Sequence, residues 1–380
     1  MKKFVLSGLS LAMLGVAGAA HAQSSVTLYG LIDAGITYTS NQGGSHNIQE
    51  TSGTVNGSRW GLRGSEDLGG GLKAIFTLEN GFSITSGKLG QNSLEFGRQA
   101  FVGLSSDQYG AVTLGRQYDS VVDYLAPLSL TGTSSGGTEA AHPFDNGNLD
   151  NSFRINNSIK YSSVNYGGFK FGALYGFSND SGGFSTNRAY SLGTSYNYGP
   201  LNLAAGYMEL NNAGVSLNSS GAVTNDATFA AGTQRTYGAG LNYALGQATL
   251  GFVFTQTHLD NATGIGASAS GTSSGLTLIG GSASFTNYEV NARYSFTPAL
   301  SLSGAYTFTD ARIDGVSPKY NQFSLQAAYA LSKRTDVYLM GVYQHVSDTG
   351  DSGLTADING LSASSTNSQL AATIGLRHRF

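Results

Sequence analysis

The sequence predicts an all-β fold: a 16-stranded antiparallel transmembrane β-barrel with short turns at one end, long loops at the other, and a third long loop folded inward. Three observations carry this. Apolar residues recur with a period of two along most of the chain. Connections alternate between short and long. The 380 residues include 54 glycines and 21 tyrosines but only 5 prolines, a composition that suits many strands joined by many turns.

The period of two is plain in "VTLYGLIDAGITY", where Val26, Leu28, Ile32, Ala34, Ile36 and Tyr38 share one parity and Thr27, Tyr29, Asp33 and Thr37 the other. A strand sends successive side chains to opposite faces, so this is a two-faced strand. "YEVNARYSF" repeats it, with Tyr288, Val290, Ala292, Tyr294 and Phe296 opposing Glu289, Asn291, Arg293 and Ser295. Counting this way gives strands at about 25–39, 55–65, 71–82, 93–105, 110–117, 154–164, 168–178, 187–198, 201–210, 234–245, 247–257, 283–296, 299–309, 319–331, 334–345 and 368–380.

The connections sort by length. "SEDLGGG", "SSDQYG", "VNYGG", "YGP", "LGQ", "TPA" and "SKR" are short; those near 40–54, 83–92, 118–153, 179–186, 211–233, 258–282, 310–318 and 346–367 are longer and polar. Prolines 127, 143, 200, 298 and 318 all fall in connections, as a hydrogen-bonded ladder requires. A soluble sandwich has no reason to sort its turns this way, whereas a barrel in an outer membrane has short periplasmic turns and long extracellular loops.

The chain starts with Lys2 and Lys3, an apolar stretch from Phe4 to about Ala20, and Ala20-His21-Ala22. This reads as a secretory signal peptide over residues 1–22, with 23–380 as a single barrel domain. Without the two lysines the formal charge is −5 instead of −3. That balance does not suggest a nucleic-acid partner. With no cysteine there is no disulfide framework. No later stretch approaches the ~20 apolar residues of a membrane helix.

The faces say which way the sheet closes. One parity is apolar; the other is mostly Gly, Ser, Thr and Asn with scattered Arg or Lys. The apolar face therefore meets lipid and the polar face surrounds a wet lumen. Tyr38, Tyr161, Tyr175, Tyr196, Tyr198, Tyr243, Tyr294 and Tyr343 lie near strand ends on the apolar parity, as interfacial aromatic girdles do. Sixteen strands leave an aqueous channel, so passive passage is expected, narrowed from inside.

Residues 118–153 are the candidate for narrowing it. They carry Val121, Val122, Leu125, Leu128, Leu130, Phe144 and Leu149, which a loop in water would not need. Their acids are Asp119, Asp123, Glu139, Asp145 and Asp150, with no Lys or Arg. Parity puts Arg59 and Arg63 on the lumen face opposite Trp60 and Leu62, and Arg154 and Lys160 opposite Ile155 and Ile159. Arg98 shares parity with Ala100, Val102 and Leu104, yet an arginine facing lipid at mid-depth costs ~2–4 kcal/mol, so it too belongs inside. A basic wall opposite an acidic loop makes a transverse field that slows apolar solutes and lets small polar ones pass.

The stretches "SRWGLRGSEDLGGGLKAIFTLENGF" (58–82), "FGRQAFVGL" (96–104), "GAVTLGRQYD" (110–119), "RINNSIKYSS" (154–163), "SKRTDVYLMGVYQ" (332–344) and the terminal "LRHRF" closely resemble the trimeric general porins of beta-proteobacterial outer membranes, over the whole mature length. The resemblance implies a homotrimer, an inward third loop, and a channel for ions and small hydrophilic solutes. By motif position it implies a constriction formed by Arg59, Arg98 and Arg154, with Glu139 and Asp145 as acidic partners; Arg63, Arg116 and Lys160 are expected to line the lumen. The trimer interface is expected on the outward faces of strands 25–39 through 110–117, with a loop latching to a neighbour. Phe380 resembles the terminal signature read by barrel-assembly machinery.

Other functions fit less well. His46, His142, His258, His345 and His378 lie outside any convincing Ser-acid arrangement, which argues against a barrel enzyme. "DLGGGLK" lacks the Lys-Ser/Thr ending of a phosphate loop. No His pair at metal spacing or other cofactor signature is present. A substrate-specific channel would be expected to show an aromatic slide on the lumen parity, and an adhesive role would rest on the long outer loops.

Overall fold

The structure, a computed structural model, describes residues 25–214, 218, 220–223, 226–265 and 276–380. The expected leader lies outside them. Sixteen antiparallel strands close into one barrel: β1 (Ser25–Gln42), β2 in two pieces (Ser45–Ser52 and Arg59–Gly69), β3 (Leu72–Gly81), β4 (Gln99–Ser106), β5 (Gly110–Gln117), β6 (Ile155–Ser162), β7 (Phe169–Gly176), β8 (Ala189–Tyr198), β9 (Leu201–Asn211), β10 (Thr233–Leu245), β11 (Ala248–Asp260), β12 (Ala283–Ser295), β13 (Leu300–Arg312), β14 (Lys319–Ala330), β15 (Thr335–Ser347) and β16 (Ser368–Arg379). Each pairs with its chain neighbours, and β16 returns to β1 in register from Leu31↔Arg379 to Thr39↔Ala371. A small separate sheet joins Phe229–Ala230, Gly264–Ile265 and Leu276–Thr277 in the outer loops.

Side-chain parity obeys the reading from sequence. Val26, Leu28, Ile36, Val102, Leu114, Leu241, Val290, Phe323 and Leu339 are exposed on the outer wall. The inner face carries hydroxyls and amides that bond across strands: Thr37 Oγ1 lies 2.7 Å from Thr373 Oγ1, and Thr236 Oγ1 lies 3.0 Å from Thr257 Oγ1. Tyr38, Tyr196, Tyr198, Tyr243, Tyr294 and Tyr343 are exposed on the outer face, while Tyr161 and Tyr175 are half-buried there.

Two expectations need correcting. Residues 40–54 are not a long loop: 45–52 form a strand, and the first outer connection is a tight turn. The alternation that puts Ile155 outside fails because Asn157 has φ 50° and the β5–β6 register shifts there. Ile155 is buried instead among Val121, Leu125, Leu149 and Phe153.

The third outer loop, residues 118–154, folds into the lumen. Val121, Leu125, Leu149 and Phe153 bury against Met208, Leu210 and Val253. Phe144 packs edge-on against Phe285 and Tyr320 at centroid distances of 6.0 and 5.9 Å. Each such burial is worth ~1.5–3 kcal/mol, which offsets the ordering cost of a long loop. Polar contacts fix its path. Glu289 of β12 accepts the Leu130 amide at 2.7 Å and lies 3.0 Å from His142 Nε2. Gln322 Nε2 donates to Ala141 O at 2.9 Å.

The closure seam explains the aromatic terminus. Phe380 N donates to Gly30 O at 3.1 Å, and Gly30 N donates to Phe380 O at 3.0 Å. The Phe380 ring crosses Gly30 so closely that a Cβ there would lie 2.3 Å from it. Gly30→Val should therefore displace the ring at an overpacking cost of ~1–3 kcal/mol and reduce the yield of folded barrel, measured as the heat-modifiable band on electrophoresis; an unchanged yield would contradict the packing.

Candidate functional site

The inward loop borders an open cavity of about 630 Å³ against the wall of β2 and β3. Its lining includes Arg59, Arg98, Arg154, Tyr118, Glu139, Asp150 and Asp226. The three arginines expected at a constriction are thus brought together, each by a different local device.

Arg98 lies one residue before β4, where the ladder has ended and strand parity no longer directs its side chain. Its Nε donates to Glu79 Oε1 of β3 at 2.7 Å, and both partners are buried. Tyr118, the first residue of the loop, puts its hydroxyl between them: it receives Arg98 Nη2 at 3.2 Å and donates to Glu79 Oε1 at 3.2 Å. Tyr29 of β1 donates to the other Glu79 oxygen at 2.9 Å. Arg154 closes the loop at the start of β6, and its guanidinium carbon lies 5.7 Å from the centre of the Tyr118 ring, a cation–π contact. Arg59 begins the second piece of β2 and bonds through Nε to Gly57 O at 3.0 Å.

The charge balance follows from this geometry. Arg98 is neutralised by Glu79. Among the described residues, Arg59 and Arg154 have no carboxylate within ion-pair distance. Two acids of the loop line the same cavity, Glu139 and Asp150. Burial pushes the Glu139 carboxyl up to about 7, against the hydrogen bonds it receives from Thr373. Burial also raises Asp150, while Arg154 and Arg98 pull it back.

The comparisons with known proteins agree with this architecture. The sequence profile described as "Gram-negative porin" matches residues 8–349. The chain belongs to the Gram-negative porin family. It is 34% identical to an outer membrane porin protein of Bordetella pertussis, over 90% of this chain and 94% of that protein. It is 31% identical to outer membrane porin protein 32 of Delftia acidovorans over the full length of both. Among solved structures, the anion-selective porin from Comamonas acidovorans superposes with a TM-score of 0.74 at 26% identity, covering 94% of this chain and all of that one. This porin is accordingly an outer-membrane diffusion channel.

Several residues of the porin sit differently from expectation. Asp145 does not face the arginines. Its carboxylate is occupied by the loop itself, accepting Ser152 Oγ at 2.7 Å, Ser152 N at 3.1 Å and Asp150 N at 3.0 Å. Glu139 reaches the cavity, but its carboxylate meets Thr373 of β16 and no arginine. Arg116 does not line the lumen. It is buried instead, bonding Asp226 of another outer loop at 2.5 Å and Gly97 O at 2.8 Å. Lys160 is tied to Asp123 at 2.5 Å. Arg63 is exposed on the lumen side, 5.2 Å from the Tyr29 ring.

Sequence reasoning missed Glu79, Tyr118, Asp226 and the inward course of residues 53–58. Glu79 was within reach, since it shares lumen parity with Thr77 between the outward Phe76 and Leu78. Asp226 gives no such signal, because it comes from another outer loop. As Glu139 and Asp150 ionise, negative charge enters the cavity. Relative cation permeability should therefore rise as pH goes from about 5 to 8, read as the reversal potential in a salt gradient. A flat profile would place neither carboxyl on the ion path.

Proposed function

We propose that this porin is a general diffusion channel with anion preference, working as a homotrimer, with Arg59, Arg98 and Arg154 as its selectivity-setting charges. The observation that carries the sign is that, among the described residues, Arg59 and Arg154 have no ion-pair partner while Arg98 is already matched by Glu79. Two uncompensated guanidiniums in a narrow, partly desolvated passage raise the local concentration of small anions. The relative from Comamonas acidovorans is named as anion-selective, which supports the same sign. Asp150 and Glu139 temper the preference. Arg63 adds a basic step on the lumen wall, and Lys160, held by Asp123, adds little.

General rather than substrate-specific passage is supported by the lining. Phe82 and Tyr118 are the aromatic residues of the cavity; the rest is mostly Gly, Ser, Thr, Asn and charged groups. Such a wall offers no track on which a particular solute would stack. Nothing in this reading calls for catalysis.

The trimer is supported by the outer wall. From β6 to β15 that wall exposes Phe169, Tyr196, Tyr243, Tyr294, Phe323, Tyr329 and Tyr343. On β1 to β5 and their turns the large exposed side chains are mostly aliphatic, among them Val26, Leu28, Ile36, Ile48, Leu68, Leu72, Val102, Leu104, Val112 and Leu114, with Tyr38 at the outer end and Tyr109 in the β4–β5 turn. A wall this poor in exposed aromatic residues suits a protein neighbour better than a lipid–water interface. The adjacent outer loop exposes Ile84, Leu89 and Leu94, apolar groups suited to latching a second copy. Residues 1–22 direct export and are removed, and Phe380 is the group presented to the assembly machinery.

In planar bilayers the protein should insert with ohmic conductance in groups of three equal steps, and reversal potentials should report anion preference. Neutralising Arg59, Arg98 and Arg154 together should move the reversal potential toward cations, leaving Glu79, Asp150 and Glu139 dominant. An unchanged potential would remove those arginines from the filter; single steps would remove the trimer.

A further inference from the structure

The second strand of the barrel is broken, and the break is built rather than frayed. Residues 53–58 leave the wall between the two pieces of β2 and enter the lumen, lining the same cavity as Tyr118 and Arg154 at the root of the third loop. Asp33 of β1 folds them inward. One of its carboxylate oxygens accepts the amides of Val55 and Asn56 at 3.1 and 2.8 Å, and the other receives Tyr338 OH at 2.7 Å. Ser58 Oγ donates to Asp33 O at 3.1 Å. The carbonyl of Gly57, inside this excursion, is what holds Arg59.

The excursion meets the tip of the third loop. Thr138 N donates to Thr54 O at 3.0 Å. Gly137, at φ 62°, lies so close that a Cβ would sit 2.3 Å from the Val55 Cα. Arg377 of β16 ties the two together from the wall. Its Nη1 donates to Asn56 Oδ1 at 2.5 Å and to Ser134 O of the loop at 3.0 Å, while Asp336 holds its Nε and Nη2 at 3.2 and 2.8 Å. Arg377 is 3% exposed, so it is not a solvated charge at the pore mouth, although strand parity alone would send it into water.

We propose that residues 53–58 are a second constriction element, and that Arg377 is the positioning residue that clasps them to the tip of the third loop, closing a ring around the passage. The open size of the channel is then set by two segments fastened to each other rather than by one loop against a fixed wall. Because Arg59 hangs from Gly57, the clasp also sets where that charge points. A loop rooted at one side of the lumen and unfastened at its tip would sample displaced positions and make the current noisy.

Asn56→Ala should raise the fraction of time in displaced, altered-conductance states by roughly tenfold, the consequence of losing one charge-assisted hydrogen bond; Arg377→Met, which also loses the bond to Ser134, should raise it at least as much. The heat-modifiable barrel should persist in Asn56→Ala, because Asn56 lies outside every barrel strand. The chain has no cysteine, so a Thr54→Cys/Thr138→Cys disulfide can replace the clasp cleanly. In the Arg377→Met or Asn56→Ala background, oxidation should silence the excess noise and reduction should restore it. Quiet channels in both single variants would overturn the proposal. So would excess noise that persists with the disulfide formed.

Discussion

The structure depends first on the backbone. In hydrocarbon no water is available to pair an exposed N–H or C=O, and each unpaired group costs several kcal/mol. The sheet must therefore close on itself, and the β16–β1 seam is where that demand is met. The seam accounts for Gly30 beneath the Phe380 ring. Closure also turns the sequence inside out relative to a soluble protein. Once the apolar parity is committed to lipid, the small and polar parity has to line a lumen wide enough to conduct.

A lumen of that width selects for nothing, so the remaining design is about filling it. The third loop crosses the lumen by burying Phe144, Leu149 and Phe153 against the inner wall and placing Glu289 on its backbone and His142. It ends where Arg154 stacks on Tyr118. The same residues that fasten the loop thus orient the arginines of the proposed filter, and the passage that remains is narrow because so much of the inner wall is engaged. Most of the buried charge is cancelled locally: Arg98, Arg116, Lys160 and Arg377 are each matched by a carboxylate. The field in the passage comes from the few groups left unmatched.

The barrel was legible in the sequence because a period of two extends over strands of about a dozen residues, and one slip would invert every side chain. Arg59, Arg98 and Arg154 were legible for a related reason, since charge on the membrane-spanning part of the chain belongs inside. What lay beyond reach was anything decided by irregular backbone. Ile155 was misplaced because an extra residue in β6 near Asn157 resets the alternation, and Arg116 because Asp226, distant in the chain, draws it out of the lumen. Asp145 and Glu139 were given arginine partners because acidity was visible while the loop's internal hydrogen bonds were not. The excursion at 53–58 reads in sequence as the end of a loop and the start of a strand; only Asp33 and Arg377, distant in the chain, turn it inward.

The claim at the centre of this account is that ions pass between the inward loop and the arginine wall. Replacing Arg154 with cysteine in this cysteine-free chain puts a single thiol on that path. Perfusing a bulky, water-soluble methanethiosulfonate reagent onto open channels should then lower the current in three discrete, reductant-reversible decrements, one for each pore of a trimer. A thiol that reacts while the current stays unchanged would contradict the account, because the wall at Arg154 would then be wet but outside the conducting passage.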